Sequence, residues 1–175
     1  MKIESPSFTM DDVRAFMSSY RDRERELLAG RLERVSERLA DLGPRVPAQK
    51  GDEDPEWNAH EVLAHIAVVS KFYGVLVHRI SSGKLDDMNL LDAVNLRDSA
   101  GHQMSQLPPE QLVQMALADQ RRTITVLREA DAAALQRSAR AGGDMSMTAE
   151  EVARLPLVTH LEMHIEQLER ILASR

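Results

Sequence analysis

The chain has 175 residues, 43% of them hydrophobic and 29% charged, with a formal charge of −6 and a pI near 5.5. That length suits one domain with a sizeable core over residues 1–175, and the acidic balance with scattered basic residues argues against a nucleic-acid partner. With no cysteine, disulfides, thiolate metal ligands and a protein thiol nucleophile are all excluded, so any thiol chemistry needs a diffusible thiol.

The opening MKIESPSFTMDDVRAF lacks an apolar leader core, and no stretch approaches the roughly 18 consecutive apolar residues of a membrane span. A cytoplasmic protein without a membrane partner is expected. From Thr9, whose T-M-D-D context resembles a capping box, Val13, Phe16, Met17, Tyr20, Leu27, Leu28, Leu32, Val35, Leu39 and Leu42 recur at helical spacing. Gly43 and Pro44 stop this first helix, and GPRVPAQKGDEDP reads as an exposed connection.

A second helix opens with Asn58 as cap and Glu61 three residues on to complete the box, with Trp57 placed to staple onto Val62. It ends at Gly83. The following stretch, about 25 residues long, is long for a bundle connection and is expected to pack over one end. A third helix starts near Pro109, where a missing N–H costs nothing, and runs through LVQMALADQRRTITVLREA to a loop containing AGGD. Thr148 and Glu151 cap a last segment in which Pro156 either kinks the helix or begins a new one. No run of alternating apolar and polar residues stands out, so sheets are not expected. The economical architecture is all-α, an up-down four-helix bundle with extra short helices in the connections.

In THLEMHIEQLERIL, His160 and His164 lie four residues apart, about 40° around one helix face. They are solvated surface residues, core residues with satisfied nitrogens, or two ligands of a shared ion. His65, beside the apolar stripe of the second helix near Val62, Leu63, Val69 and Phe72, poses the same choice. An unpaired buried ring costs roughly 1 to 3 kcal/mol, so it is hydrogen-bonded or coordinated. Glu61 serves as cap or as base near a metal, His60 is expected to face solvent, and His78 and His102 receive no role. Glu162, Glu166 and Glu169 read as a solvated face, and the nine methionines as gap-fillers in an aromatic-poor core. Gln167 continues the histidine face and either lines a pocket or orients a ligand.

PEWNAHEVLAHIAVVSKFY resembles the second-helix signature of the DinB-like superfamily of metal-dependent four-helix bundles, a tryptophan followed by E-x-L-x-H, here Trp57, Glu61, Leu63 and His65. The superfamily's last-helix pattern H-x-x-x-H-x-x-Q is matched by His160, His164 and Gln167. Asn58 stands where Ser or Thr is more usual, which preserves the cap. The resemblance implies that His65, His160 and His164 form a three-histidine site for a divalent cation, with zinc favoured and nickel or iron as alternatives. Three neutral imidazoles leave an open position, as in catalytic sites. It further implies a metal-dependent thiol S-transferase, akin to bacterial thiol transferases and mycothiol-dependent isomerases, acting on a small-molecule substrate with a low-molecular-weight thiol. The alternatives are a hydrolase in which the ion activates water, and a non-catalytic metal-binding stress-related bundle. No catalytic general base is named, and a homodimer is expected although no single stripe in the sequence marks its interface.

Overall fold

The computed structural model describes residues 9–48 and 56–174. Four long helices run through it, α1 (Met10–Leu42), α2 (Ala59–Ser81), α4 (Pro109–Glu129) and α7 (His160–Ala173). Between them come a single 3-10 turn at Gly43–Arg45, α3 (Leu90–Met104), α5 (Ala132–Leu135), a hairpin of β1 (Ser138–Gly142) and β2 (Met145–Thr148), α6 (Ala149–Val152) and a π-helical turn over Ala153–Thr159. The all-α bundle expected from the periodicity is present, and its helix starts are the ones the caps announce. Thr9 accepts from the Asp12 amide while Asp12 reaches back to Thr9, Asn58 does the same with Glu61, and Thr148 with Glu151. The part of the first linker over residues 49–55 lies outside the described residues.

α2 is the central helix. Val62, Leu63, Ile66, Ala67, Val69, Val77 and Ile80 have no exposed surface, and they pack on Leu32, Leu39, Leu112, Leu127, Leu157, Leu161 and Ile165 in one continuous core. By length and composition α2 could cross a membrane, but 61% of its most apolar window is buried inside the fold, which explains its hydropathy without one. A buried polar chain ties three helices together: Ser36 donates to Gln120 Oε1 at 2.7 Å, and Gln120 Nε2 donates to Ser70 Oγ at 2.9 Å. Every member is satisfied, so the network fixes register instead of costing an unpaired group.

Four expectations change. The AGGD segment is the turn of a β-hairpin, with Gly142 and Gly143 at positive φ, so a small antiparallel sheet exists where none was expected. The long connection contains α3, capped by Asn89 and laid along α2. In α1 the core stripe is buried only from Leu28 onward, leaving Phe16, Met17, Tyr20 and Leu27 exposed. Met104 and Met147 do pack against the core, but Met10, Met17, Met145 and Met163 are exposed.

Candidate metal centre

Two elements present the three histidines. His65 lies in the second turn of α2, on the edge of a helix whose inner face is mostly apolar. His160 and His164 lie on the first turns of α7, which approaches α2 because Leu161, Ile165 and Leu168 are fully buried in the shared core. The three rings converge: one nitrogen from each of His65, His160 and His164 lies within 4.8 Å of the others. His65 Nε2 and His160 Nε2 are separated by 3.3 Å.

That separation is also the spacing a shared ion would impose. Metal–nitrogen bonds of about 2.0–2.1 Å at tetrahedral angles place two ligand nitrogens about 3.4 Å apart. The outward nitrogens of His160 and His164 are already committed. His164 Nδ1 donates to Gln167 Oε1 at 2.9 Å, and His160 Nδ1 donates to the Pro156 carbonyl at 3.3 Å. With the proton assigned to Nδ1 in both, each Nε2 carries a lone pair turned inward, the tautomer a metal requires. The residues present therefore fit a divalent ion.

The π turn explains how Pro156 comes to serve the site. Proline lacks an amide hydrogen, so the regular ladder is broken there, and the backbone N–H of His160 bonds to the carbonyls of Leu155 and Leu157 instead. The Pro156 carbonyl is left for the imidazole one turn on, and Thr159 Oγ1 donates to the Arg154 carbonyl in the same turn. Such turns inside α-helices concentrate at functional sites. The proline thus neither stops the helix nor starts another; α6 and α7 run on through one widened turn.

All three rings are held neutral. Burial, followed by the mutual repulsion of the imidazoles and the nearby Arg97 guanidinium, pushes His65 down to about 3. Burial and the charge on His164 depress His160, although its bond to Pro156 opposes this. Burial likewise depresses His164 against the opposing hydrogen bond it donates to Gln167. Trp57 covers the cluster, its ring 4.7 Å from that of His65 and stacked 5.9 Å from that of His164. Its indole shields the imidazoles on one side.

Beside His65 opens a cavity of about 340 Å³, walled by Trp57, Glu61, Ala64 and His65 from the α2 side and by Arg97, Asp98, Gly101, His102 and Ser105 from the α3 side. Arg97 is fixed there, donating to Tyr73 Oη at 3.0 Å and to Asp98 through Nε at 2.9 Å and Nη2 at 2.6 Å. None of these α3 residues was given a role by sequence reasoning, because α3 contributes no fully buried side chain among its described residues and its periodicity is weak. The one available signal was the Asn89 cap, which accepts from the amides of Leu91 and Asp92.

The remaining polar residues divide. Glu61 does cap α2, its Oε2 accepting from the Asn58 amide at 2.9 Å, while its side chain also borders the cavity. His60 is buried instead of facing solvent, with Nε2 2.8 Å from the Leu107 carbonyl, and so ties α2 to the start of α4. Glu162 and Glu169 are not simply solvated: they pair with Arg31 and Arg38 of α1 through two bonds each and clamp α7 alongside α1. Gln167 serves as the partner of His164.

No curated protein and no solved structure gives a significant match to this sequence. The family model of the DinB superfamily, whose members are generally metal-binding, matches residues 20–168. With the three-histidine cluster and the helical bundle both in place, the chain belongs to the DinB superfamily.

Proposed function

We propose that the protein is a metal-dependent thiol S-transferase in which His65, His160 and His164 hold a divalent ion, zinc before nickel or iron. One observation carries the reading: three neutral imidazoles, two with their outer nitrogens already bonded, converge beside a cavity lined by polar side chains of α2 and α3. When bound, such an ion lowers the pKa of a small thiol that reaches its open position, supplying a nucleophile at neutral pH.

The chain's own residues supply the rest. Gln167 and the Pro156 carbonyl hold two imidazoles in the ligating tautomer. Trp57 shields one side of the cluster from water. The Arg97 guanidinium, anchored by Tyr73 and Asp98, places positive charge in the cavity wall, where it favours an anionic sulfur over a neutral thiol. The thiol proton passes to His102, which lines the same cavity, or to solvent; a leaving group departs with its electron pair as the carbon–sulfur bond forms. The cavity volume suits an electrophile of modest size held beside the sulfur.

Cobalt substitution tests this reading. Adding a low-molecular-weight thiol to cobalt-loaded protein is expected to produce a new near-ultraviolet sulfur-to-metal charge-transfer band. A hydrolase would turn over activated esters without that band, and a binding protein would show neither; either result overturns the transferase assignment. Elemental analysis checks the site itself, with one equivalent of metal expected in the native protein and none in His65→Ala.

A further inference from the structure

The first helix is longer than the bundle it belongs to. Its 33 residues begin burying side chains only at Leu28. Close to that point Arg25 donates to the carbonyls of Arg128 and Ala130 at the end of α4, and Glu24 receives Arg154 from the π turn. Residues 10–23 therefore extend past the ends of the neighbouring long helices, about 20 Å of helix.

This overhang is amphipathic. At about 100° per residue, Met10, Val13, Phe16, Met17, Tyr20 and Leu27 fall within an arc of about 120°. Met10 is 65% exposed, Phe16 64%, Tyr20 49% and Leu27 53%. The arc is centred about 70° around the helix from the stripe that Leu28, Leu32, Val35 and Leu39 bury lower down, with Met10 and Met17 in line with that stripe, and no core lies against it among the described residues. Beside it lies a cleft of about 340 Å³ between α1 and the start of α5, lined by Val13, Met17, Arg21, Asp131 and Ala132.

We propose that this overhang is a homodimer interface, in which two copies of α1 pair antiparallel about a twofold axis near Phe16 and Met17. The sequence of the stripe is self-complementary in that arrangement. Phe16 meets the partner's Met17, Val13 meets the partner's Tyr20, and Asp12 comes beside the partner's Arg23 on the same flank. On the opposite flank Asp11 already neutralises Arg14 at 2.7 Å, and Asp131 borders the cleft near Arg21. The two ends of the overhang carry nearly balanced charge, which suits a second copy of the same helix better than an anionic lipid surface.

Area sets the strength. With roughly 80 to 100 Å² recovered from each of the five side chains of residues 10–20 on both copies, the pairing buries about 800 to 1,000 Å², at or below the lower limit for a specific interface. The dimer is accordingly one that forms at micromolar concentration, and it does not depend on the metal reading.

Sedimentation velocity on the full-length protein from 1 to 200 µM tests it. A concentration-dependent shift from 19.6 kDa to twice that mass is expected. The double variant Phe16→Glu, Tyr20→Glu is expected to remain monomeric at 200 µM with unchanged helicity, thermal midpoint and metal content, since both side chains are exposed. The absence of cysteine permits a second readout: Met17→Cys should crosslink efficiently with a short bismaleimide, whereas Leu91→Cys, on exposed α3, should not. A monomer at every concentration, a dimer indifferent to the double variant, or equal crosslinking at both positions would each overturn the proposal; a stripe covered by another segment or another protein gives the first of these.

Discussion

His164 Nδ1 and Gln167 Oε1 lie 2.9 Å apart, one turn along the same helix, and this bond decides which nitrogen of His164 faces the other two imidazoles. The amide oxygen accepts the Nδ1 proton, so Nε2 keeps its lone pair. Replacing Gln167 with Ala removes the acceptor and lets the ring rotate or change tautomer. Metal affinity is expected to fall about 10- to 100-fold, with the helical content unchanged. Gln167→Glu retains an acceptor and should restore most of the affinity, which competition against a chromophoric chelator would measure. Equal affinity in the native protein and Gln167→Ala would remove the bond from any functional account.

Pro156 invites the complementary experiment. The π turn around it places the proline carbonyl against His160 Nδ1 at the expense of a regular ladder. Pro156→Ala restores an amide donor and allows the turn to relax toward α-helix. The thermal midpoint is expected to rise by a few degrees, consistent with about 1 kcal/mol gained in a chain of this size, while metal affinity falls several-fold. Scanning calorimetry and metal titration on one preparation would show whether the two quantities move in opposite directions. If both improve together, the widened turn has no part in shaping the site.

Much of this arrangement was legible in the sequence for identifiable reasons. Thr9, Asn58 and Thr148 announced helix starts because a capping box needs only local geometry, and the helix bounds follow them. The convergence of His65 with His160 and His164 depended on tertiary packing, and spacing alone left it open; the resemblance to a superfamily pattern supplied it. The hairpin escaped because its strand Ser138–Gly142 alternates through Ala139 and Ala141, buried residues too small to mark a strand. α3 escaped because Leu91 and Leu96 point outward and none of its described side chains is fully buried. His60 looked exposed by its place in the first turn, yet the Leu107 carbonyl gives its ring a buried partner at 2.8 Å.

The depressed histidines make the stability of the metal-free chain depend on pH. His65 titrates near 3 when folded and near its ordinary 6.5 when unfolded, and His160 and His164 are shifted in the same direction. Between those values the unfolded chain binds more protons than the folded one, so stability is full above about pH 6.5 and is lost as pH falls toward 3. The slope is at most about 1.4 kcal/mol per pH unit for each imidazole involved. Urea unfolding of chelator-treated protein between pH 7 and 5, above the range in which carboxylates titrate, isolates the effect. His65→Asn should flatten the slope, and an identical slope in that variant would assign the dependence to other groups.

A tight approach of α2 to α4 at Gly74 sets a limit on what the central helix tolerates. At Gly74 an added Cβ would lie 2.4 Å from Thr123 Oγ1 and 3.8 Å from Thr123 Cβ, so the obstacle is the hydroxyl alone. Thr123 is nearly fully buried and its hydroxyl is held by the Asp119 carbonyl at 3.1 Å, which leaves it little room to move. Gly74→Ala is therefore expected to destabilise the protein by about 1 to 3 kcal/mol, the range typical of overpacking, despite the better helix propensity of alanine. Thr123→Ala alone should cost about 1 kcal/mol, and combined with Gly74→Ala it should recover most of the loss, because the two changes act on one contact and do not add. A double-mutant cycle by chemical denaturation gives the coupling directly. Simple additivity of the two losses would mean that the helices separate to admit the methyl group, and that the spacing of α2 and α4 does not hang on this pair.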